Sequence, residues 1–433
     1  MSKRIILQKA TRIEGNAEIH IEVDEGHVKA ARFMVQDFRG FERFVRGRHV
    51  ELVPHLVSRI CGLCCTAHQV ASLRAIEEAL AVDVPASVHR LREILVLAEW
   101  ISSHALSYFF LTLPDHLGTS GGIFELSRTY PEVTREAFRL RKAGLRIVQL
   151  LGKRAVHPVA MGVGRFLIVP TAAELDEVHQ IAREVKDRIA RLIVQLDDTG
   201  LGQDSIPLPS DQQINFLVYN GGPNHDTFNA CDHTGQVTAQ FRRNEFENNV
   251  SEMRAEWSFA KFPYLSRFGF PAGIMLVGPL SRSFKADGVL ADPELAEFEL
   301  TERVRDRASL NLENFDTCRL LEIFWAAKRI LKLVDEVDFA GLKTDVDSAL
   351  SGLGFGVVEA PRGVLMHSYL VNKGLIERMR LLVATQFNNA FINLLIRDLA
   401  ERHLKDDNLS PEGERLIGRC IRIFDPCLSC ATH

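Results

Sequence analysis

From Ala17 to Val23 the chain alternates Ala-Glu-Ile-His-Ile-Glu-Val, the period-two pattern of a strand with one buried face. Asp24-Glu25-Gly26 supplies a turn before Val28 to Val35, so residues 4–35 are expected to be β. From about residue 48 the spacing becomes helical. Leu73, Ile76 and Leu80 recur at helical intervals within Thr66 to Val82, and Pro85 stands where a helix opens. The helix that follows is expected to run to Leu113, with its most apolar stretch from Ile94 onward. Further helices are expected at 132–154, 171–198, 296–336 (whole or broken) and 373–404. Residues 200–290 are mixed and rich in Gly, Pro and Asn, and Asn220-Gly221-Gly222-Pro223-Asn224 reads as a loop. Gly354 to Gly363 also reads as a loop, and 405–415 as a polar connection.

These elements predict a predominantly helical α+β chain, with a central bundle of long helices, a small N-terminal β-sheet and a mixed α/β excursion. No repeat, low-complexity tract or linker interrupts it, although the length alone would allow two or three domains. Residues 1–433 are therefore read as one domain: a β region at 1–40, a helical core at 48–200 and 296–404, the excursion at 200–290 and a tail at 416–433.

Composition narrows the function classes. At 46% hydrophobic and 25% charged, the chain has the make-up of an ordinary soluble globular protein. A formal net charge of −4 gives no electrostatic case for nucleic acid or an anionic membrane. Ile94 to Leu113 is long enough to span a bilayer, but Glu99, Ser102, Ser103 and His104 near its middle favour a buried core helix. The first residues lack the apolar run of a signal peptide. Eight cysteines are too sparse for a disulfide scaffold. The expected location is the cytoplasm, unless a leader on a partner subunit exports both.

The chemistry concentrates in two CxxC pairs, Cys61-Gly62-Leu63-Cys64 and Cys427-Leu428-Ser429-Cys430, whose first members lie 366 residues apart. Cysteines three apart can turn both sulfurs toward one point, because such positions share a face of a helical turn. Two pairs make a four-thiolate site, suited to Zn, Fe–S clusters, Ni or Cu(I). Zinc ribbons place their pairs only about 15–20 residues apart, so this is not one.

With both pairs placed, the chain resembles the large, catalytic subunit of [NiFe] hydrogenases over nearly its whole length. The resemblance rests on Arg12-Ile13-Glu14-Gly15, Arg39-Gly40-Phe41-Glu42 and Arg59-Ile60-Cys61-Gly62-Leu63-Cys64. It continues through Val277-Gly278-Pro279-Leu280, Glu359-Ala360-Pro361-Arg362-Gly363 and Asp425-Pro426-Cys427-x-x-Cys430-x-x-His433. It implies reversible cleavage of H2 to protons and electrons at a Ni–Fe centre whose iron carries CO and cyanide. Cys61 and Cys427 would be terminal on Ni, and Cys64 and Cys430 would bridge the two metals. Cys427, as a terminal thiolate, would accept the first proton, and Glu14 would relay it. Arg362, beside Pro361, would hydrogen-bond a cyanide or poise over the metals, with Asp425 orienting it. His68 would donate toward a bridging sulfur. Glu42, the Leu381 carbonyl and His433 would hold Mg2+ or a similar hard cation.

The departures from the family pattern are Asn16 after Gly15, Ser103 before His104, and Ser281-Arg282-Ser283 after Gly-Pro-Leu. They fit the soluble, cofactor-linked branch better than membrane-linked uptake enzymes. Cys65 cannot share the direction of Cys64, and Cys231, Cys318 and Cys420 read as ordinary buried thiols. No further cluster motif is present. The resemblance therefore implies that electrons leave through an iron–sulfur small subunit, within a larger flavin or iron–sulfur assembly. The acceptor would be NAD(P), coenzyme F420, ferredoxin or a heterodisulfide system. Two alternatives stand: a non-catalytic scaffold like the related quinone-site subunit of complex I, which lacks the paired cysteines, and a structural Zn(Cys)4 protein.

Overall fold

The computed structural model describes residues 3–7, 10–119, 122–198, 205–209, 213–222, 225–339, 342–344, 346–347 and 349–432. The alternating N-terminal segment forms an antiparallel sheet of β1 (Lys3–Leu7), β2 (Ala17–Asp24) and β3 (His27–Val35), in that order. Ala17, Ile19, Ile21 and Val23 bury the same face of β2, as the period requires.

The helical core begins with α1 (Cys65–Ala79) and α2 (Ala86–Ala105). Around α2 pack α3 (Pro131–Gly152) and α5 (Asn314–Asp335), and α4 (Ala172–Asp198) lies against both of these. The helical run Ala86–His116 is long and apolar enough to cross a membrane, but 83% of its most apolar window is buried in protein. It serves as the core helix expected from its polar middle. It is not a plain α-helix to Leu113, however, because Leu106–Thr112 widens into a π-helical turn. That turn leaves the Leu111 carbonyl to accept Nη1 of Arg12 at 2.8 Å.

The excursion forms a four-stranded sheet of β4 (Asn215–Gly222), β5 (His225–Cys231), β6 (Val237–Arg242) and β7 (Met275–Leu276), ordered β7-β4-β5-β6. The expected loop at 220–224 is in part the end of β4; residues 223–224 lie outside the described residues.

The largest departure from expectation lies at 352–382, read from sequence as a loop followed by a helix. The chain there forms an antiparallel sheet of β8 (Gly352–Ala360), β9 (Gly363–Asn372) and β10 (Leu375–Leu382), and only then α6 (Ala384–Arg402). A second apolar core, including Phe228, Phe241, Val357, Met366 and Phe387, fills the space between this sheet and the excursion. The expected polar connection at 405–415 is a short hairpin, Leu404–Lys405 with Asn408–Leu409, followed by α7 (Pro411–Phe424). Ser410 caps α7 by accepting from the Gly413 N–H at 3.1 Å.

Gly354 and Gly356, which suggested a loop, have another use, and Gly352 shares it. A Cβ built on Gly352, Gly354 or Gly356 would fall on the backbone carbonyl oxygens of Ala79, Ala75 and Ala71 respectively. β8 thus lies directly on α1 with no side chain between, running opposite to it. Four helical residues rise about 6 Å and two strand residues about 6.6 Å, so the contacts stay in step. Continued by the same steps, the register brings Ala360 level with Leu63, inside the first CxxC.

Candidate metal centre

The first cysteine pair occupies the entry to α1. Cys61 is extended, Cys64 is the residue before the helix, and the Leu63 N–H donates to Cys61 Sγ at 3.2 Å. No local side chain caps α1. Glu99 of α2 does so instead, its carboxylate accepting from Thr66 N at 2.7 Å and Ala67 N at 3.1 Å. Burial pushes this carboxyl up to about 8 against those same hydrogen bonds. Cys65 points away, as expected: its sulfur accepts from the His157 N–H at 3.2 Å, and burial raises its thiol to about 12.

The second pair arrives through a reversal. Asp425 ends α7 with φ 47, a left-handed conformation that Asp tolerates. Cys427 N then donates to Thr385 Oγ1 at 2.9 Å, and Leu428 N donates to the Glu14 carbonyl at 3.2 Å. Glu14 and Cys427 thereby form a parallel bridge, leading into α8 (Leu428–Ala431).

The sulfurs of Cys61, Cys64, Cys427 and Cys430 all lie within 4.8 Å of one another. Cys61 and Cys427 are 3.2 Å apart, Cys64 and Cys430 3.2 Å, and Cys427 and Cys430 2.9 Å. None of the four residues is more than 6% exposed. Hydrogen bonds from Cys427, Cys430 and Cys64 hold Cys61 well below the usual thiol value, while contacts with Cys427, Cys430 and Cys61 push Cys64 well above it and contacts with Cys430 and Cys61 push Cys427 well above it. Burial raises Cys430 to about 11. Without a cation, the ionisation of one thiol opposes that of the others. A soft transition metal resolves that conflict, so the donor set fits one.

Arg362 forms the turn between β8 and β9, buried beside the sulfurs. Its Nε donates to the Asp425 carbonyl at 2.6 Å, and Nη1 lies 3.4 Å from Ser103 Oγ. Nη2 forms a buried ion pair with Asp425 Oδ2 at 2.7 Å. Burial works against the charge of Arg362; Asp425 and the cysteine sulfurs outweigh it and raise the guanidinium pKa. Gly363, at φ 127, lets the turn settle on Val277 and Gly278, where a Cβ would come within 2.7 Å of the Gly278 nitrogen. Pro361 is buried in the same turn.

Glu14 is half-buried, and its carboxylate accepts from Ser429 N at 3.0 Å and from the Ser429 hydroxyl, between the two cysteines of the second pair. Arg12 anchors this segment: its Nη2 reaches Asp115 at 2.5 Å, and Asp115 also takes Nε of Arg422 from α7 at 2.6 Å. His68 Nε2 lies 3.4 Å from Cys430 Sγ. Glu42 Oε1 accepts from Leu381 N at 2.9 Å, bringing those two residues together. The Thr432 carbonyl accepts from Arg39 N at 2.7 Å, and His433 lies outside the described residues.

Beyond His68, several residues around the site carry no sequence signal for a role. His68 Nδ1 lies 3.0 Å from His367 Nε2, His367 Nδ1 lies 2.9 Å from Tyr369 Oη, and Tyr369 donates to Ser72 Oγ at 3.0 Å, all buried. Glu99 and Thr385 belong to the same group. Arg282 was visible in the sequence only as part of an altered motif.

A family model described as nickel-dependent hydrogenase matches residues 39–120 and 234–433, and one described as HoxL-like matches 4–38. The chain is 30% identical over 455 residues to an F420-non-reducing hydrogenase subunit of Methanothermobacter marburgensis, covering 99% of this chain and 94% of that one. It is 29% identical to the NAD-reducing hydrogenase HoxS subunit beta of Cupriavidus necator, covering 100% and 95%. Among solved structures, a chain of an NAD+-reducing [NiFe]-hydrogenase in the H2-reduced state superposes with a TM-score of 0.88 at 26% identity, covering 100% and 99%.

Proposed function

Because the chain belongs to the nickel-dependent hydrogenase family, we propose that it is the hydrogen-activating subunit of its enzyme and that Cys61, Cys64, Cys427 and Cys430 hold a Ni–Fe centre. The observation that carries this reading is the convergence of four buried sulfurs from pairs 366 residues apart. When bound, such a centre supplies heterolytic activation of H2, with CO and cyanide as further ligands of the iron. Cys61 and Cys427 would be the terminal ligands of Ni, and Cys64 and Cys430 would be shared with the iron; all four sulfurs lie within 4.8 Å of one another. His68 directs a ring nitrogen at bridging Cys430. Arg362, oriented by Asp425 and standing beside Pro361, would hydrogen-bond a cyanide of the centre or poise over the metals.

Cys427, whose side chain is buried, takes the first proton. Glu14 carries the proton outward, from a half-buried position bonded to Ser429 beside Cys427. Glu42, the Leu381 carbonyl and His433 bind Mg2+ or a similar hard cation. Among the described residues no other cluster of metal-ligating groups exists, which supports export of electrons through an iron–sulfur small subunit. That subunit belongs to a larger flavin or iron–sulfur assembly that delivers electrons to NAD(P), F420, ferredoxin or a heterodisulfide in the cytoplasm. The whole of 1–433 acts as one unit, since both cysteine pairs build the site.

Metal analysis and infrared spectroscopy of the matured protein test the reading. Nickel and iron in equal amounts, with bands from metal-bound CO and cyanide, are expected. Zinc alone would overturn it in favour of a structural four-cysteine site.

A further inference from the structure

Arg282 ends the short helix Pro279–Arg282 and is 5% exposed. A guanidinium carries five N–H donors, and each of these has an acceptor here. Nε donates to Glu322 Oε1 at 2.7 Å, and Nη2 to Glu322 Oε2 at 2.7 Å and Pro361 O at 3.0 Å. Nη1 donates to Glu359 Oε2 at 3.1 Å and Ala360 O at 2.9 Å. The Trp100 ring lies 4.2 Å from the guanidinium carbon, and Trp100 Nε1 donates to the Glu359 carbonyl at 2.9 Å. His104, 2.9 Å from Glu322, is kept neutral by burial, so Arg282 is the cation that answers the Glu322 charge.

We propose that Arg282 is a positioning residue for Arg362. It grips the backbone of three consecutive residues, Glu359, Ala360 and Pro361, immediately before Arg362, partly through Trp100. With every donor engaged, it has none to offer a ligand, so it acts on the metal centre only through the turn it holds. Lysine cannot substitute. Its three donors radiate from one atom and cannot span two carboxylates and two carbonyls. Releasing Ala360 O and Pro361 O frees the turn to shift, and a displacement of about 1 Å costs on the order of a hundredfold in rate when it misplaces a reacting group.

The proposal rests on the Ni–Fe reading, and its test separates the two. In the matured holoenzyme, Arg282→Lys is expected to retain nickel and iron while losing turnover by about tenfold to a hundredfold. Its cyanide infrared bands should move in the same direction as those of Arg362→Lys. In a double-mutant cycle, Arg282→Lys should add little to Arg362→Lys, because it acts through that residue. If Arg282→Lys does not assemble, Glu359→Gln weakens one contact of the clamp and runs the same cycle at smaller amplitude. Additive losses, or unmoved cyanide bands in a variant with lowered turnover, would overturn the positioning role. Wild-type holoenzyme lacking these bands would instead unseat the Ni–Fe reading.

Discussion

Replacing Gly356 by Ala tests the seam between β8 and α1. The added methyl would meet backbone atoms of Ala71 and Ala75, including the Ala75 nitrogen at 2.7 Å and the Ala71 carbonyl carbon at 2.9 Å. No rotamer change relieves this, since the obstacle is backbone, so strand or helix must retreat. Overpacking of this kind costs about 1–3 kcal/mol. The smaller entropy of the unfolded Ala chain offsets about 0.4–1 kcal/mol of that. The net expectation is a loss of stability of about 1–2 kcal/mol. The displacement should also reach the metal, because Ala71 lies two helical turns beyond Cys64. The assay is nickel and iron content of the matured protein, with the half-life of activity at elevated temperature. Gly352→Ala, against the far end of α1 at Ala79, should lower metal content less than Gly356→Ala. Normal loading and an unchanged half-life in Gly356→Ala would refute the idea that close contact sets this register.

Three further outcomes are expected. Cys430→Ser should prevent stable assembly of the centre; ordinary nickel and iron content would count against a bridging role. Glu14→Gln should keep the metals and slow turnover by about 10²–10⁴-fold, whereas unchanged turnover and H/D exchange would leave Glu14 a structural acceptor for Ser429. Glu99 gives a pH dependence: its folded value of about 8 exceeds the ordinary 4.5, so the folded state holds the extra proton. That stabilisation is complete below 4.5 and is lost as pH rises through 8. Wild-type Tm should therefore fall relative to Glu99→Gln as pH rises from 4.5 to about 8, and parallel Tm curves over that window would exclude the effect.

How much was legible depended on how local the signal is. The two cysteine pairs were readable because spacing and side-chain chemistry sit within four residues, and β2 because alternation is a local pattern. Gly354 and Gly356 misled, since glycine is a loop signal by composition but here clears space for a helix backbone. In β10, Leu375, Glu377, Arg378 and Met379 are good helix formers, and pairing with β9 overrides that preference. The turn at Lys373 and Gly374, both at positive φ, was the sign of a hairpin. The roles of Arg282 and Glu99 could not be read, because their partners lie on other segments.

The distance along the chain between the cysteine pairs has a consequence for loading. Tying together points 366 residues apart in an unfolded chain costs about 6 kcal/mol of loop-closure entropy. An unfolded or half-folded chain therefore offers metal two thiolates at a time, from one pair or the other. Only after β8 has docked on α1 and α7 has delivered Asp425 do four converge. A four-thiolate site is thus a product of folding: the metal can be held by all four sulfurs only in a chain whose two cysteine-bearing segments have already met.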